Sequence, residues 1–372
     1  MRNEACNAPR PILADLGCWA PLAPSSTMTE SARRTLEYEL EAPAVPRLGF
    51  LGTGWIGRHR LRAISARGVA AVAAVADLSE EAMRDACVGL PSPPRVGDSL
   101  SALLEDNDLD GVVISTPNAV HAEQSITALE RGVAVFCQHP IGRTAMETRR
   151  VVDAARANDR LLCSDLAYRF TSSVGGIREI VRRGELGDIF AVDVTFHTPI
   201  APDRHWFQDV AISGDGCVLD LGSHVLDLAL WTLDYPALRS ATSRIYGAGK
   251  PLRWPYEEVE DYAVARLDLE TGACVQLTCA WDRPSGHQAV IAASFHGTSG
   301  LASFQNVHGS YYEFVAEHYF GSSREALAEP DTDWAGRGAV DWARRLAAGV
   351  GYDPSAARLI DLSTAIDRIY GR

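Results

Sequence analysis

RLGFLGTGWIGRHR, residues 47–60, carries the reading of this chain. Its first half is an unbroken apolar run of strand length. Gly52-Thr53-Gly54-Trp55-Ile56-Gly57 then fits G-x-G-x-x-G and opens into a helical pattern over 56–67. A second apolar run, 69–76, is followed by Asp77, twenty residues beyond Gly57. A glycine turn between strand and helix, with an acid closing the next strand, is the full context of a dinucleotide-binding fingerprint. Gly52 makes the turn, Gly54 lets the backbone approach a pyrophosphate, and Gly57 lets helix pack on strand. The amides of Trp55 and Ile56 open the helix, where N–H groups and the helix dipole hold an anion. Asp77 is placed to accept from a ribose diol and to repel a 2′-phosphate, so the expected cofactor is NAD. The plainer alternative is an empty glycine-rich turn with Asp77 as a helix cap.

The same rhythm continues outward. Helices are expected over 79–87, from 98 or 99 to 105, over 119–131 and over 144–157; strands over 111–115, 134–137 and 161–164. Strands alternating with helices predict βαβ units and a doubly wound parallel sheet. Their continuous rather than alternating apolar character agrees, because such a sheet is covered on both faces. Beyond residue 166 the pattern changes. A helix (173–183), a long strand (189–197) and a helix (218–233) precede strands at 239–246, 259–269, 273–280, 288–296 and 301–304. Strands in succession imply an open, mostly antiparallel sheet. Helical patterns at 334–348 and 355–370 finish the chain. The expected fold is therefore α/β: a Rossmann domain over 46–166, an α+β substrate and oligomerisation domain over 167–345, and a closing helix, 346–372, that returns to the first domain. Residues 1–45, rich in Pro, Ala and Ser, are expected to be a mobile or loosely docked extension, with translation beginning at Met1 or Met28.

Bulk properties exclude several classes. The 372 residues carry a net charge of −13 and a single lysine, Lys250, with no basic cluster for a phosphate backbone. No apolar run has membrane-spanning length. Eight cysteines, at 6, 18, 87, 137, 163, 217, 274 and 279, form no Cys-x-x-Cys, so neither a disulfide framework nor a metal site is expected. The first residues lack a secretory pattern. A reducing, cytoplasmic setting follows, with a small molecule as partner and neither nucleic acid nor membrane.

Further motifs follow at strand ends, where open α/β sheets bind ligands. Ser115-Thr116-Pro117-Asn118 ends the strand 111–115 and leads to His121. Gln138-His139-Pro140 ends the strand 134–137. Tyr168-Arg169-Phe170 falls at the domain junction, and Gly214-Asp215-Gly216 leads into Asp220, Gly222, His224 and Asp227. These motifs resemble the Gfo/Idh/MocA oxidoreductases, the glucose–fructose oxidoreductase and inositol dehydrogenase group, over about residues 46–372. The resemblance implies that Thr116, Pro117, Asn118, His121 and Gln138 line the nicotinamide half of the cofactor and that Tyr168 and Arg169 meet substrate. It also exposes two departures. The family Glu-Lys-Pro is here Gln138-His139-Pro140, which removes the usual lysine, and the middle of the family's three glycines is Asp215.

Asp220 and His224, four apart on the expected helix, should stack on one face and meet a substrate hydroxyl, with Gly222 leaving room for a sugar ring. The alternative is a polar stripe facing solvent. Arg204, His205 and Trp206 join charge to an aromatic face, which suits a carbohydrate; Trp206 packing beneath the sheet is the equal alternative. The resulting expectation is an NAD(H)-dependent sugar, aminosugar or cyclitol dehydrogenase or ketoreductase. His224 is its first candidate base, Asp220 the orienting group, and His139 a partner or stand-in for the lysine. A hydride-recycling epimerase, lyase or glycosidase and a non-catalytic NAD-binding regulator are the alternatives. By the same resemblance the chain should form a homodimer or homotetramer.

Overall fold

The computed structural model describes residues 45–105, 108–202, 205–330 and 333–372, with residue 205 as backbone alone. In its first half, strands β1 (Arg47–Leu51), β2 (Ala71–Ala76), β3 (Arg95–Gly97), β4 (Gly111–Ile114), β5 (Ala134–Cys137) and β6 (Leu162–Ser164) alternate with helices α1 (Trp55–Arg67), α2 (Glu80–Cys87), α3 (Leu100–Leu103), α4 (Asn118–Glu130) and α5 (Ala145–Ala157). The strands form one parallel sheet in the order β3-β2-β1-β4-β5-β6. Every residue of β4 and β5 is buried, as a sheet covered on both faces requires. The Ser79 hydroxyl caps α2 by accepting from the Ala82 amide at 3.1 Å. The order reverses between β1 and β4, which brings the turns after these strands together.

The second half adds α6 (Ser172–Arg182), β7 (Ile189–His197), α7 (Val210–Ser213) and α8 (Ser223–Thr232). It continues with β8 (Leu238–Gly247), β9 (Lys250–Pro251), β10 (Tyr262–Leu269), β11 (Cys274–Ala280), β12 (Val290–Gly297), β13 (Leu301–Asn306), β14 (Phe314–Phe320) and β15 (Ser323–Ala326). Nine strands join in the order β15-β14-β13-β12-β7-β11-β10-β8-β9. Pairing is antiparallel except between β7 and β11, which run parallel at the centre. In β7 and β12 buried residues alternate with more open ones, so one face holds the core and the other carries no helix among the described residues.

Four strands escape a periodicity reading. β3 and the two-residue β9 are too short to show a period. In β14 the buried face includes His318 while Tyr319 points outward, so the polar and apolar positions are inverted there. β15 is exposed throughout and pairs with β14.

Two helices close the chain, α9 (Arg337–Ala347) and α10 (Arg358–Tyr370). α9 packs on the first sheet, with Trp342 lying 5.8 Å from Phe136 between ring centroids. A Cβ on Gly111 would come within 2.6 Å of that indole, so glycine is required for the approach. The boundary expected at residue 345 thus falls inside a helix that belongs to one packing layer. α10 spans both halves: Asp367 accepts from the Ala145 amide at 2.9 Å, and Ser243 of β8 donates to the Ile369 carbonyl at 2.6 Å. No helix among the described residues is long and apolar enough to cross a membrane.

Candidate active site

The turn after β1 is built for a close ligand. Gly52 has φ +82°, where L side chains are strained, and a Cβ on Gly57 would lie 1.9 Å from the Gly52 carbonyl oxygen. Gly54 precedes the first turn of α1, whose opening amides have no intrahelical acceptor. Trp55 and Ile56 form that turn, with the Trp55 side chain 54% exposed. Across the crevice Asp77 ends β2. Its carboxylate accepts from the Thr53 amide at 2.6 Å, the Thr53 hydroxyl at 3.2 Å and the Ser79 amide at 2.9 Å. A carboxylate has about four acceptor positions, so capacity remains for a ribose hydroxyl.

The turns after β4 and β5 meet through His121. Its ring is fully buried, with Nδ1 2.8 Å from the Pro140 carbonyl and Nε2 2.7 Å from the Thr116 carbonyl. A neutral imidazole can donate to only one of these carbonyls, and the buried ring packs between the two loops rather than standing open toward a ligand. Asn118 is likewise turned inward and donates to the Ser213 carbonyl at 2.8 Å. Thr116 donates to Gln124 at 2.6 Å, and Pro117 rather than Asn118 occupies the cap position of α4. Gln138 differs from these, since its buried side-chain oxygen has no partner. That orphaned acceptor, the glycine turn and the remaining capacity of Asp77 fit a dinucleotide stretched across the switch point.

His139 follows Gln138 and is joined to Pro140 by a cis peptide bond. Its ring packs against that of His224, with centroids 3.9 Å apart and planes inclined by 62°. Tyr168 meets His224 edge-on at 5.2 Å and is itself enclosed by Phe196, Phe304, Phe314 and Trp334. His139 Nδ1 lies 3.3 Å from the Ser223 hydroxyl, whereas His224 Nδ1 is buried without a partner. Burial, reinforced by His224, holds His139 well below its ordinary value, and burial brings His224 down to about 4. Both imidazoles are therefore neutral near pH 7 and able to accept a proton.

The single helix expected over 218–233 is interrupted. Val218–Gly222 winds as a π-turn, and α8 begins only at Ser223. π-turns of this kind recur at functional sites. It carries Asp220, while His224 stands in the first turn of α8. Asp220 accepts from the Trp281 indole at 3.1 Å, while His224 packs on His139. Gly222 is not open for a ring either, since a Cβ there would press within 3.3 Å of the Cys279 sulfur on β11. Burial raises the Asp220 carboxyl to about 6, with the Trp281 bond acting the other way.

Asp220 and Trp281 line a cleft of about 340 Å³ together with Thr198 and Tyr311, whose hydroxyls are 2.7 Å apart. Trp206 is half-buried. It stacks on Phe207 at 3.9 Å, and Phe207 meets Trp281 edge-on at 6.0 Å. Arg204 and the His205 side chain lie outside the described residues. Arg169 is corrected as a substrate ligand, because its Nε and Nη2 atoms grip Asp227 at 2.7 and 2.5 Å, leaving a largely buried structural pair.

Periodicity gave no sign of Trp281 and Tyr311, which stand just beyond β11 and in the loop between β13 and β14. It also missed Arg60 and Asp165. Arg60 sits on α1, just past the glycine turn, and its Nε lies 2.5 Å from Asp165 at the end of β6, with both side chains buried. The charge of Arg60 contributes to the lowered values of His139 and His224.

Comparison with known proteins agrees with this geometry. The family profile described as "Oxidoreductase family, NAD-binding Rossmann fold" (GFO_IDH_MocA) matches residues 46–165, and that of the GFO/IDH/MocA C-terminal domain matches residues 175–303. The rhizopine catabolism protein MocA of Rhizobium meliloti is 31% identical over 69% of this chain and 77% of its own length. The chain belongs to the GFO/IDH/MocA family of NAD-binding oxidoreductases. Within it, the D-glucoside 3-dehydrogenase of Escherichia coli K12 is 27% identical over 57% of this chain, a match that spans 64% of that enzyme. Levoglucosan dehydrogenase in complex with NADH and levoglucosan superposes with a TM-score of 0.74 over 88% of this chain and 96% of that one. At 21% identity that likeness shows a shared GFO/IDH/MocA fold.

Proposed function

We propose that this chain moves a hydride between NAD and a ring carbinol or ketone of a sugar, aminosugar or cyclitol. The observation that carries the reading is the His139–His224 pair: two neutral, nearly buried imidazoles, one with an unpartnered nitrogen, on the loop after β5 and at the start of α8. Gly52, Gly54, Trp55, Ile56, Gly57 and Asp77 hold the adenosine diphosphate half, and Thr116, Pro117 and Gln138 border the nicotinamide half. When bound, the dinucleotide accepts or returns the hydride.

The chain's own residues manage the proton and the substrate. Oxidation of a carbinol releases an O–H proton, which needs a base within hydrogen-bond reach. His224 takes that role, with His139 beside it where relatives by resemblance carry lysine. Asp220, fixed by Trp281, accepts from a neighbouring substrate hydroxyl. Trp281, Tyr311 and the Trp206–Phe207 stack supply the apolar faces and hydroxyl that suit a sugar ring.

Calorimetry with NAD and NADP, followed by a panel of aldoses, aminosugars, anhydrosugars and inositols monitored by nicotinamide absorbance, tests the proposal. NAD should bind more tightly than NADP and at least one ring alcohol should be turned over. Absence of NAD binding, or binding without turnover of any member in either direction, would overturn it. We place the protein in the cytoplasm as a homodimer or homotetramer, paired through the uncovered face of the nine-stranded sheet. Tyr246, Tyr262 and Val264 line a shallow cleft on that face, and light scattering in solution tests the pairing.

A further inference from the structure

The loop Gly214-Asp215-Gly216 delivers the chain into the π-turn that carries Asp220, and the Asp220 amide donates back to the Gly216 carbonyl at 3.0 Å. Wherever this loop sits, Asp220 follows. Its backbone is held from two sides. Glu260 accepts from the Gly216 amide at 2.7 Å and the Val218 amide at 2.9 Å. The Tyr370 hydroxyl donates to Glu260 at 2.7 Å and accepts from the Leu219 amide at 3.1 Å.

A third hold is ionic. Arg372, the last residue of the sequence, brings Nη2 within 2.8 Å of the Asp215 carboxylate, whose side chain is 2% exposed. The same guanidinium meets Asp367 at 2.8 Å and donates to the Arg143 carbonyl at 2.8 Å. Arg143 in turn donates to the Ala211 carbonyl at 2.6 Å, and its side chain fills the space that a Cβ on Gly214 would need. Arg143 lies four residues beyond His139. The guanidinium therefore joins the loop bearing His139, the end of α10 and the loop leading to Asp220.

We propose that Arg372 is a positioning residue: by pairing with Asp215 it fixes the 214–218 loop and, through it, the carboxylate of Asp220. The inference rests on the reading of Asp220 as a substrate contact. Asp215 is the one position where this stretch departs from three glycines, and a glycine there would leave Arg372 held by Asp367 and the Arg143 carbonyl with no grip on this loop. A buried carboxylate without its cation is costly, and here Asp367 and Glu260 add like charge from α10 and from the segment before β10. Burial already brings Asp215 up to about 7 with Arg372 in place. At a pH well above 7, where Asp215 is ionised and where the exchange is to be read, loss of Arg372 should therefore push Asp215 out of its site, carrying the loop with it; a neutral side chain at 215 should remove that drive.

The test compares Arg372→Ala, Asp215→Asn and the double variant in the full chain. Amide hydrogen exchange of residues 216–219 is read first, because it needs no substrate. Exchange should be at least about tenfold faster in R372A and return to within about twofold of wild type in D215N/R372A, the scale of coupling seen for contacting charged pairs. With any ring alcohol the wild type turns over, kcat/KM should fall at least about fivefold in R372A and recover in the double variant, with NAD affinity unchanged. Wild-type exchange in R372A, or a double variant as open as R372A, overturns the proposal. Should R372A not fold, Arg372→Gln replaces it with the same expectations, and Arg372→Lys, which keeps the charge, should exchange as wild type. Protection that behaves as expected in a protein inactive on every ring alcohol would keep the clasp and count against the redox reading alone.

Discussion

His139 and His224 pack ring against ring, 3.9 Å between centroids, although 85 positions separate them in the sequence. Each comes from a different layer, one from the loop after β5 and the other from the first turn of α8. Burial lowers the pKa of both rings, so the site holds two short, neutral imidazoles side by side.

If His224 is the base, His224→Ala should lower turnover by at least the ~10²-fold usual for removing one, with NAD affinity unchanged. Steady-state kinetics and calorimetry on the same preparation read both quantities. Unchanged turnover would remove His224 from the mechanism.

His139→Lys restores the residue that the family resemblance leads one to expect. Lysine has an unperturbed pKa of about 10.4 against about 6.5 for histidine. The variant should stay active, and its pH optimum for oxidation should move upward, because the amine must lose its proton to serve as a base. Total loss of activity would show that the imidazole has a role no amine can fill.

If Asp220 accepts from substrate, it should set the acid limb of the pH profile. Its carboxyl, raised by burial to about 6, takes up a proton before His224 does, at about 4. Wild-type kcat/KM should therefore fall as pH drops through about 6. In Asp220→Asn that limb should vanish, leaving the next decline near 4. At neutral pH the variant should be roughly ten- to a hundredfold less efficient, the equivalent of one hydrogen bond to a charged group. A wild-type limb retained unchanged in the variant would assign it elsewhere.

Arg60 and Asp165 form a buried pair beneath this site. Arg60→Met leaves a carboxylate buried without its cation and should cost about 3–5 kcal/mol, whereas Arg60→Met with Asp165→Leu should cost much less. Denaturant unfolding of both variants checks this; equal losses would mean that packing rather than charge is what the pair supplies.

Much of the first domain is legible without coordinates, because its signals are local. The glycine turn, the strand after it and Asp77 stand at fixed spacings that backbone geometry imposes on any phosphate-binding βαβ unit, and continuous apolar strands announce a sheet covered on both sides. The second sheet is legible in outline, since alternation marks a half-covered strand, but β14 hides behind a buried histidine and β15 behind its exposure.

The site depends on folding in a way that spacing cannot express. Helical periodicity puts Asp220 and His224 on one face of a single helix; the π-turn ending at Gly222 interrupts that helix, and nothing in the residue types of 218–222 announces it. His121, Asn118 and Arg169 carry the polar groups a ligand would want, yet each is taken by a carbonyl or carboxylate that arrives from a distant segment. What the sequence determined by itself was the cofactor fold and the set of candidate groups, because both follow from neighbours along the chain. Which of those groups remain free was decided by tertiary structure, because a buried polar atom must find a partner and the partner comes from wherever packing brings one.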